Sequence, residues 1–167
     1  GTTAEPDGIN TDYDYLPTPL SEFEFIGASG YILDNTTQTV IATVSTPVKI
    51  NFNGLFSSDL EASFTVGIDG CFTYTGVRDI NIKATATLYG DSTEGANINY
   101  RFYFAKNSVV DIGSVSQEFY SGNHPRSTAI THIDQLSNGD EVCVYVENIT
   151  NANNIIIETG SIKIIAV

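Results

Sequence analysis

The segment at residues 80–88 reads INIKATATL and alternates apolar with polar residues. Successive side chains of a β-strand point to opposite faces, so a period of two predicts a strand with one face on a core. The same alternation recurs at residues 98–104, around Tyr100 and Phe102, and at residues 142–147, around Val144. These three segments predict long, half-buried strands.

Shorter runs rich in Thr, Ile, Val, Tyr and Phe have the same character, since these residue types suit a pleated surface. They lie at residues 39–44, 48–52, 62–66, 71–75, 127–133 and 162–166. Turn dipeptides separate many of the predicted strands, namely Asn53-Gly54, Asp69-Gly70, Gly90-Asp91, Ser121-Gly122 and Asn138-Gly139. No amphipathic helical window exceeds two turns. The predicted fold is all-β: an antiparallel β-sandwich of the jelly-roll type.

The chain of 167 residues has the length of one domain preceded by an arm. Residues 1–22 hold three prolines and five carboxylates, which predicts an extended acidic arm, and residues 23–167 form the jelly-roll domain. Tyr13, Tyr15 and Leu16 are candidate anchors through which this arm docks on a neighbouring subunit or a larger assembly. The alternative is a solvated leader.

The chain is strongly acidic, with 20 Asp and Glu against 7 Lys and Arg and a formal net charge of -13. Such a surface repels nucleic-acid phosphates and anionic lipids, so we expect neither nucleic-acid binding nor membrane insertion. The charge suits a protein that functions in solution, where its carboxylates stay hydrated.

The two cysteines, Cys71 and Cys143, permit a single pairing. A domain of this size has a core large enough to fold without a covalent cross-link. We therefore expect buried free thiols, with a disulfide as the alternative.

The outward positions of several strands carry apolar residues, namely Tyr103, Tyr145, Ile165 and Val167. Scattered apolar residues are ordinary on a monomer. Clustered on one sheet, these four would form a subunit interface enriched in aromatic residues, which is the interpretation we favour.

An ordered series of segments resembles the tumour-necrosis-factor-like jelly roll shared with the complement globular heads. The series comprises residues 64–76, 79–89, 100–107, 129–136, 139–146 and 161–165. It is especially similar to the versions found on phage fibre tips and viral capsids. There a Gly-Asp pair precedes a late strand, as Gly139-Asp140 does here, and a Lys-Asn turn follows the middle strand, as Lys106-Asn107 does.

The resemblance covers residues 48–167, and residues 1–47 have no recognised counterpart of the family's first strand. It implies a homotrimer in which one sheet of each protomer faces a threefold axis.

Catalytic residues are scarce, since the only histidines are His124 and His132. His124 lies in a polar loop, whereas His132 and Asp134 share one face of a predicted strand. No nucleophile motif such as Gly-x-Ser-x-Gly accompanies them, so we expect no enzyme.

No cofactor is predicted. Asp12/Asp14, Glu22/Glu24 and Asp140/Glu141 are carboxylate pairs, but the chain has no Trp for a glycosidase cleft. Calcium suits such oxygen ligands better, and Asp7, Asp12 and Asp14 alternate as its ligands do. They lack a closing Glu, so the metal ligands stay unknown.

Tyr89, Tyr120 and Asn123 lie near predicted loops and are the candidate glycan contacts, because sugars pack on aromatic rings and hydrogen-bond to amides. Two N-glycosylation sequons begin at Asn35 and Asn148, and in a chain rich in Asn and Thr they arise freely.

The sequence as a whole favours a non-enzymatic virion structural protein, a trimeric knob that decorates a capsid or caps a fibre. Its expected partners are further copies of itself, other virion proteins through the arm, and a host-surface glycan. Its expected location is the virion surface. The alternative is a secreted or cell-surface carbohydrate-binding module, located outside the cell.

Overall fold

The structure is a computed structural model that describes residues 25–93, 97–120 and 124–167, except for the side chain of residue 119. Thirteen strands and one 3₁₀ turn form within these residues. The strands are β1 Gly27–Ile32, β2 Gln38–Thr39, β3 Val48–Lys49, β4 Ser57–Ala62, β5 Phe64–Val66, β6 Phe72–Tyr74, β7 Ile80–Ser92, β8 Ile98–Lys106, β9 Val109–Val110, β10 Ser116–Tyr120, β11 Arg126–Leu136, β12 Glu141–Asn148 and β13 Ile155–Ala166, and the 3₁₀ turn is Ile112–Ser114. Within the described part of the chain, no helix has the length and apolar character required to cross a membrane.

The strands form two antiparallel sheets that pack face to face, which confirms the predicted jelly-roll sandwich. The six-stranded sheet has the order β11-β7-β13-β1-β4, with β2 paired to β13. The seven-stranded sheet has the order β10-β8-β12-β6-β5, with β3 paired to β12 and β9 to β8.

The core lies between the sheets and is built from the alternating residues of the long strands. Ile82 and Leu88 of β7, and Phe102 and Phe104 of β8, are at most 1% exposed. The residues between them point to the outer faces, as the period of two predicted. Each sheet therefore has one dry face and one outer face.

The first strand was missing from the sequence analysis, and β1 corrects this. It lies between β13 and the edge strand β4 in the six-stranded sheet. Its sequence GASGYI reads as a turn because glycine disfavours strands. Packing requires the glycine, because a Cβ at Gly30 would lie 2.3 Å from the Phe56 ring.

The predicted strands at residues 39–44 and 48–52 are mostly irregular, with only two-residue pairings at β2 and β3. Side chains replace strand partners here. The backbone N–H of Ile41 donates to Asn154 Oδ1 at 2.9 Å, and that of Asn51 donates to Thr39 Oγ1 at 2.9 Å. Ile41 and Ile50 nevertheless enter the core. The apolar residues of these segments are therefore buried in the core, although most of the segments form no strand.

The expectation of free thiols was wrong, because Cys71 and Cys143 form a disulfide. Their neighbours Phe72 and Val142 are paired residues of β6 and β12, which places the two cysteines side by side on adjacent strands. Their Cα atoms lie 4.5 Å apart, within the range of a disulfide. A sequence separation of 72 residues conceals this proximity.

Candidate functional site

The outer face of the six-stranded sheet is poor in carboxylates. Four consecutive cross-strand rows define it: Ile133–Lys83–Ile165–Gly27–Ala62, Thr131–Thr85–Lys163–Ser29–Leu60, Ala129–Thr87–Ser161–Tyr31–Ser57 and Ser127–Tyr89–Thr159. Lys83 and Lys163 are the charged members of these rows. Most other members are small Gly, Ala, Ser or Thr residues, and none of the four rows contains Asp or Glu. We call these rows the small-residue face.

The four residues predicted to form an interface do not share one sheet, which corrects that expectation. Ile165 belongs to the small-residue face, and Val167 continues its strand. Tyr103 and Tyr145 pair with each other on β8 and β12 of the opposite sheet. Tyr103 is also only 5% exposed within a single chain. Alternation identified outward positions correctly but could not assign them to a sheet.

Tyr103 is buried by an interaction on the outer face of the seven-stranded sheet. Its hydroxyl donates to Glu147 Oε1 at 2.5 Å, and Glu147 is itself 5% exposed. Burial and then this hydrogen bond to a carboxylate raise the pKa of Tyr103 to about 12. Tyr103 is therefore a neutral donor that satisfies a buried carboxylate.

Arg101 lies in cross-strand register between Gln117 of β10 and Glu147 of β12. Its Nε donates to Gln117 Oε1 at 3.0 Å, and its Nη1 lies 3.7 Å from Glu147 Oε1. A surface cavity of about 350 Å³ opens here, lined by Arg101, Tyr103, Gln117, Ile112 and Val115. We call it the Arg101 cavity. Local sequence patterns do not reveal this cavity, because its lining comes from two strands, the 3₁₀ turn and the residue after that turn.

The three candidate glycan contacts do not form a common site among the described residues. Tyr120 was predicted at a loop but is 1% exposed, with its ring 5.1 Å from that of Tyr100, so it offers no face to a sugar. Burial raises the pKa of the Tyr120 hydroxyl. Tyr89 is 37% exposed and belongs to the small-residue face. Asn123 lies outside the described residues.

His132 does have acidic partners, one of which the sequence analysis missed. Its Nδ1 lies 2.9 Å from Asp111 Oδ2, and its Nε2 lies 3.6 Å from Asp134 Oδ2. Its ring stacks on Phe104 with centroids 6.0 Å apart. The cluster joins strand β11 of one sheet to the 3₁₀ turn beside the other.

This cluster lacks the arrangement of a hydrolase. Ser114, close in sequence to Asp111, donates its hydroxyl to the Asp111 carbonyl at 2.7 Å and accepts from Phe104 N. Partial burial opposes ionisation of Asp134, but the Lys106 ammonium and the Gln135 N–H together outweigh it and hold the pKa of Asp134 below its usual value. Both acids therefore have structural partners that account for their positions.

The described residues contain one group with metal-ligand spacing, Cys71, Glu141 and Cys143, whose ligand atoms lie within 4.8 Å of one another. The disulfide removes both thiolates from that group. Both carboxylate oxygens of Asp140 accept hydrogen bonds, Oδ2 from Ser137 N and Oδ1 from the Asn107 amide. Asp7, Asp12 and Asp14 lie outside the described residues, as do the arm anchors Tyr13, Tyr15 and Leu16.

Both sequon asparagines are fully buried, at 0% exposure. The Asn35 amide donates to Ile157 O at 2.9 Å and to Asn51 O at 3.2 Å. The Asn148 amide donates to Asn153 O at 3.0 Å. The nitrogen that would carry a glycan is thus a structural donor in each case.

Comparison with solved structures finds this architecture in tumour-necrosis-factor and complement head domains. The globular domain of zebrafish complement 1qA matches with TM-score 0.50 and 14% identity, over 85% of this chain and 97% of that one. Murine APRIL matches with TM-score 0.51 and 6% identity, over 83% and 98% of the two chains. Eiger TNF from S. frugiperda matches with TM-score 0.48 and 11% identity, over 86% and 93%.

The matches to the complement 1qA globular domain and to APRIL support the jelly-roll fold. No protein-family model matches the sequence. No curated protein matches it either.

Proposed function

We propose that this chain is a non-enzymatic assembly domain that forms a homotrimer through the small-residue face. The supporting observation is the absence of Asp and Glu from the four rows of that face in a chain that carries 20 acidic residues. Copies with a net charge of -13 repel one another, so association requires a face from which negative charge is excluded. The small side chains let two such faces approach closely.

Apolar residues at one end of the face give this association a driving force. Ile133 is 66% exposed and shares a row with Ile165, while Val167 is also 66% exposed. Burying such groups between subunits is favourable, at about 25 cal/mol per Å² of apolar surface. Tyr31 and Tyr89 add aromatic rings farther along the face, which suits an interface core.

The proposed setting is the surface of a virion, where the trimer decorates a capsid or caps a fibre. The Lys106-Asn107 and Gly139-Asp140 motifs support this setting through their resemblance to viral and phage knobs. The disulfide is compatible with it, because disulfides persist on virion surfaces and outside cells. Tyr13, Tyr15 and Leu16 would attach the arm to other virion proteins. A secreted location is the alternative.

The molar mass of the full chain in solution, measured by light scattering after size exclusion, tests the assembly. We expect three times 18.0 kDa. Ser161→Glu places a carboxylate in the central strand of the small-residue face and should produce monomers. Val77→Glu adds the same charge at a residue that is 95% exposed outside that face, and it should leave the trimer intact. A monomeric parent protein, or equal behaviour of the two variants, would refute the proposal.

A further inference from the structure

We infer that the Arg101 cavity binds a neutral saccharide unit. The cavity lies on the outer face of the seven-stranded sheet, whereas the proposed trimer interface lies on the other sheet. It would therefore stay accessible in a trimer, and it would also exist in a monomer. The inference adds a ligand class to the proposed display role without depending on the assembly.

A carboxylate whose burial is costly lies beside the cavity, in contact with its lining residues Arg101 and Tyr103. Glu147 points away from the core yet is 5% exposed, and removing a charge from water is unfavourable unless partners satisfy it. The Tyr103 hydroxyl and the Arg101 guanidinium supply those partners at 2.5 Å and 3.7 Å. The consequence is a guanidinium anchored on one side by a rigid group.

Gln117 anchors the same guanidinium on its other side. Its Oε1 accepts from Arg101 Nε, and its amide nitrogen makes no hydrogen bond among the described residues. The Arg101 side chain is 41% exposed. Two sets of N–H donors therefore lie side by side on one cross-strand row, and their preorganisation lowers the entropic cost of holding a ligand.

Apolar side chains form another part of the lining. Ile112 is 78% exposed and Val115 is 46% exposed, and both line the cavity. Ile112 begins the 3₁₀ turn and Val115 follows it, and the turn is capped by Asp111, whose Oδ1 accepts from Gly113 N at 2.8 Å. Polar donors beside an apolar wall match a sugar ring, which presents hydroxyls at its edge and C–H groups on its face.

The charges at the site and on the chain as a whole favour a neutral ligand. Arg101 and Glu147 compensate each other within the site, and the chain as a whole carries a net charge of -13. An acidic sugar would meet this repulsive field without an uncompensated cation to offset it. The volume of about 350 Å³ lies near the lower end of ordinary ligand sites and therefore suits a terminal sugar unit.

Binding of the full chain to immobilised glycans tests the inference, using glycans that end in neutral hexoses or N-acetylhexosamines beside sialylated and uronic-acid glycans. We expect binding to neutral members that changes little with added salt. Arg101→Lys keeps the charge beside Glu147 but loses the planar fork, and should weaken binding by about tenfold. Ile112→Ser should weaken it severalfold.

Val109→Ser is the matched control, because Val109 is 72% exposed in the neighbouring hairpin but does not line the cavity. It should bind like the parent protein. Light scattering and thermal unfolding check that each variant keeps its assembly and fold. The inference is wrong if no neutral glycan binds, if acidic glycans alone bind in a salt-sensitive manner, or if folded Arg101→Lys and Ile112→Ser bind as well as Val109→Ser.

Discussion

Asn107 and Asp140, two residues that carried the family resemblance, are directly hydrogen-bonded. The Asn107 amide donates to Asp140 Oδ1 at 2.7 Å, and Asn107 Oδ1 accepts from Glu141 N at 2.9 Å. Asn107 follows β8 and Asp140 precedes β12, which are neighbours in the seven-stranded sheet. The Asn107 side chain therefore links the end of β8 to the start of β12.

Replacing Asn107 should destabilise the fold in two separable ways. Its φ of 50° lies in the left-handed region, where Asn and Gly are tolerated better than Ala. Asn107→Gly removes only the side-chain hydrogen bonds and should cost about 1–2 kcal/mol. Asn107→Ala should cost about 1 kcal/mol more, because it adds backbone strain. Urea unfolding at matched protein concentration measures both, and equal values for the two variants would contradict the strain argument.

The same junction should contribute to acid sensitivity. The N–H of Ser137 and then the Asn107 amide hold the pKa of Asp140 below its usual value of 3.8. A depressed folded-state pKa adds stability that is complete above the unfolded-state pKa and is lost as pH falls through the folded-state pKa. We expect stability to decline below about pH 4, with a shallower decline in Asn107→Gly. Urea midpoints measured between about pH 6 and about pH 2.5 test this, and identical slopes would exclude the linkage.

The long strands could be predicted because alternation is a local property. Residues 80–88 and 98–104 lie within β7 and β8, and their inward residues form the core. Alternation also separates inward from outward positions, but it does not say which outward positions meet. Tyr103 and Ile165 lie on different sheets, and Gln117 meets Arg101 across 16 positions. Those relationships depend on topology and register, which local patterns do not encode.

Strand β1 escaped prediction because its glycines serve packing instead of turning the chain. Gly30→Ala would place a Cβ 2.3 Å from the Phe56 ring and 2.6 Å from Ser57 O, so we expect a loss of about 1–3 kcal/mol. Gly139→Ala is the comparison, since a Cβ there meets nothing within 4 Å but φ is +89°. It should cost about 1 kcal/mol from backbone strain alone. Thermal unfolding compares the stability losses of the two variants. An unchanged stability in Gly30→Ala would show that the sheet relaxes around the new methyl group.

The sequons should stay unmodified when the chain is expressed through a eukaryotic secretory pathway. Asn35 and Asn148 are 0% exposed, and their amide nitrogens are engaged in the fold. Mass spectrometry before and after peptide-N-glycosidase treatment should give the same intact mass. A mass decrease on treatment would mean that glycosylation precedes folding at these residues.

Asn148 should also matter for stability, because its Oδ1 accepts from Thr150 N and Asn151 N and thereby shapes the loop after β12. Asn148→Ala removes the acceptor of both N–H groups and also the buried amide that donates to Asn153 O, and it should cost about 2–4 kcal/mol. Asn138→Ala is the control. Among the described residues the exposed Asn138 side chain makes one hydrogen bond, to Gly76 O at 2.9 Å, so its loss should cost about 1 kcal/mol or less. Similar losses in the two variants would contradict the structural role assigned to Asn148.

The disulfide should contribute a large share of the folding stability. Cys71 and Cys143 close a loop across a sequence separation of 72 residues, which restricts the unfolded chain. We expect the double variant Cys71→Ala/Cys143→Ala to lose about 2–5 kcal/mol in urea unfolding. Iodoacetamide should label the denatured parent protein only after reduction, because the disulfide leaves no thiol to alkylate. Two labels per chain without reduction would show free cysteines, and an unchanged stability in the double variant would show that the sheet pairing of β6 and β12 suffices alone.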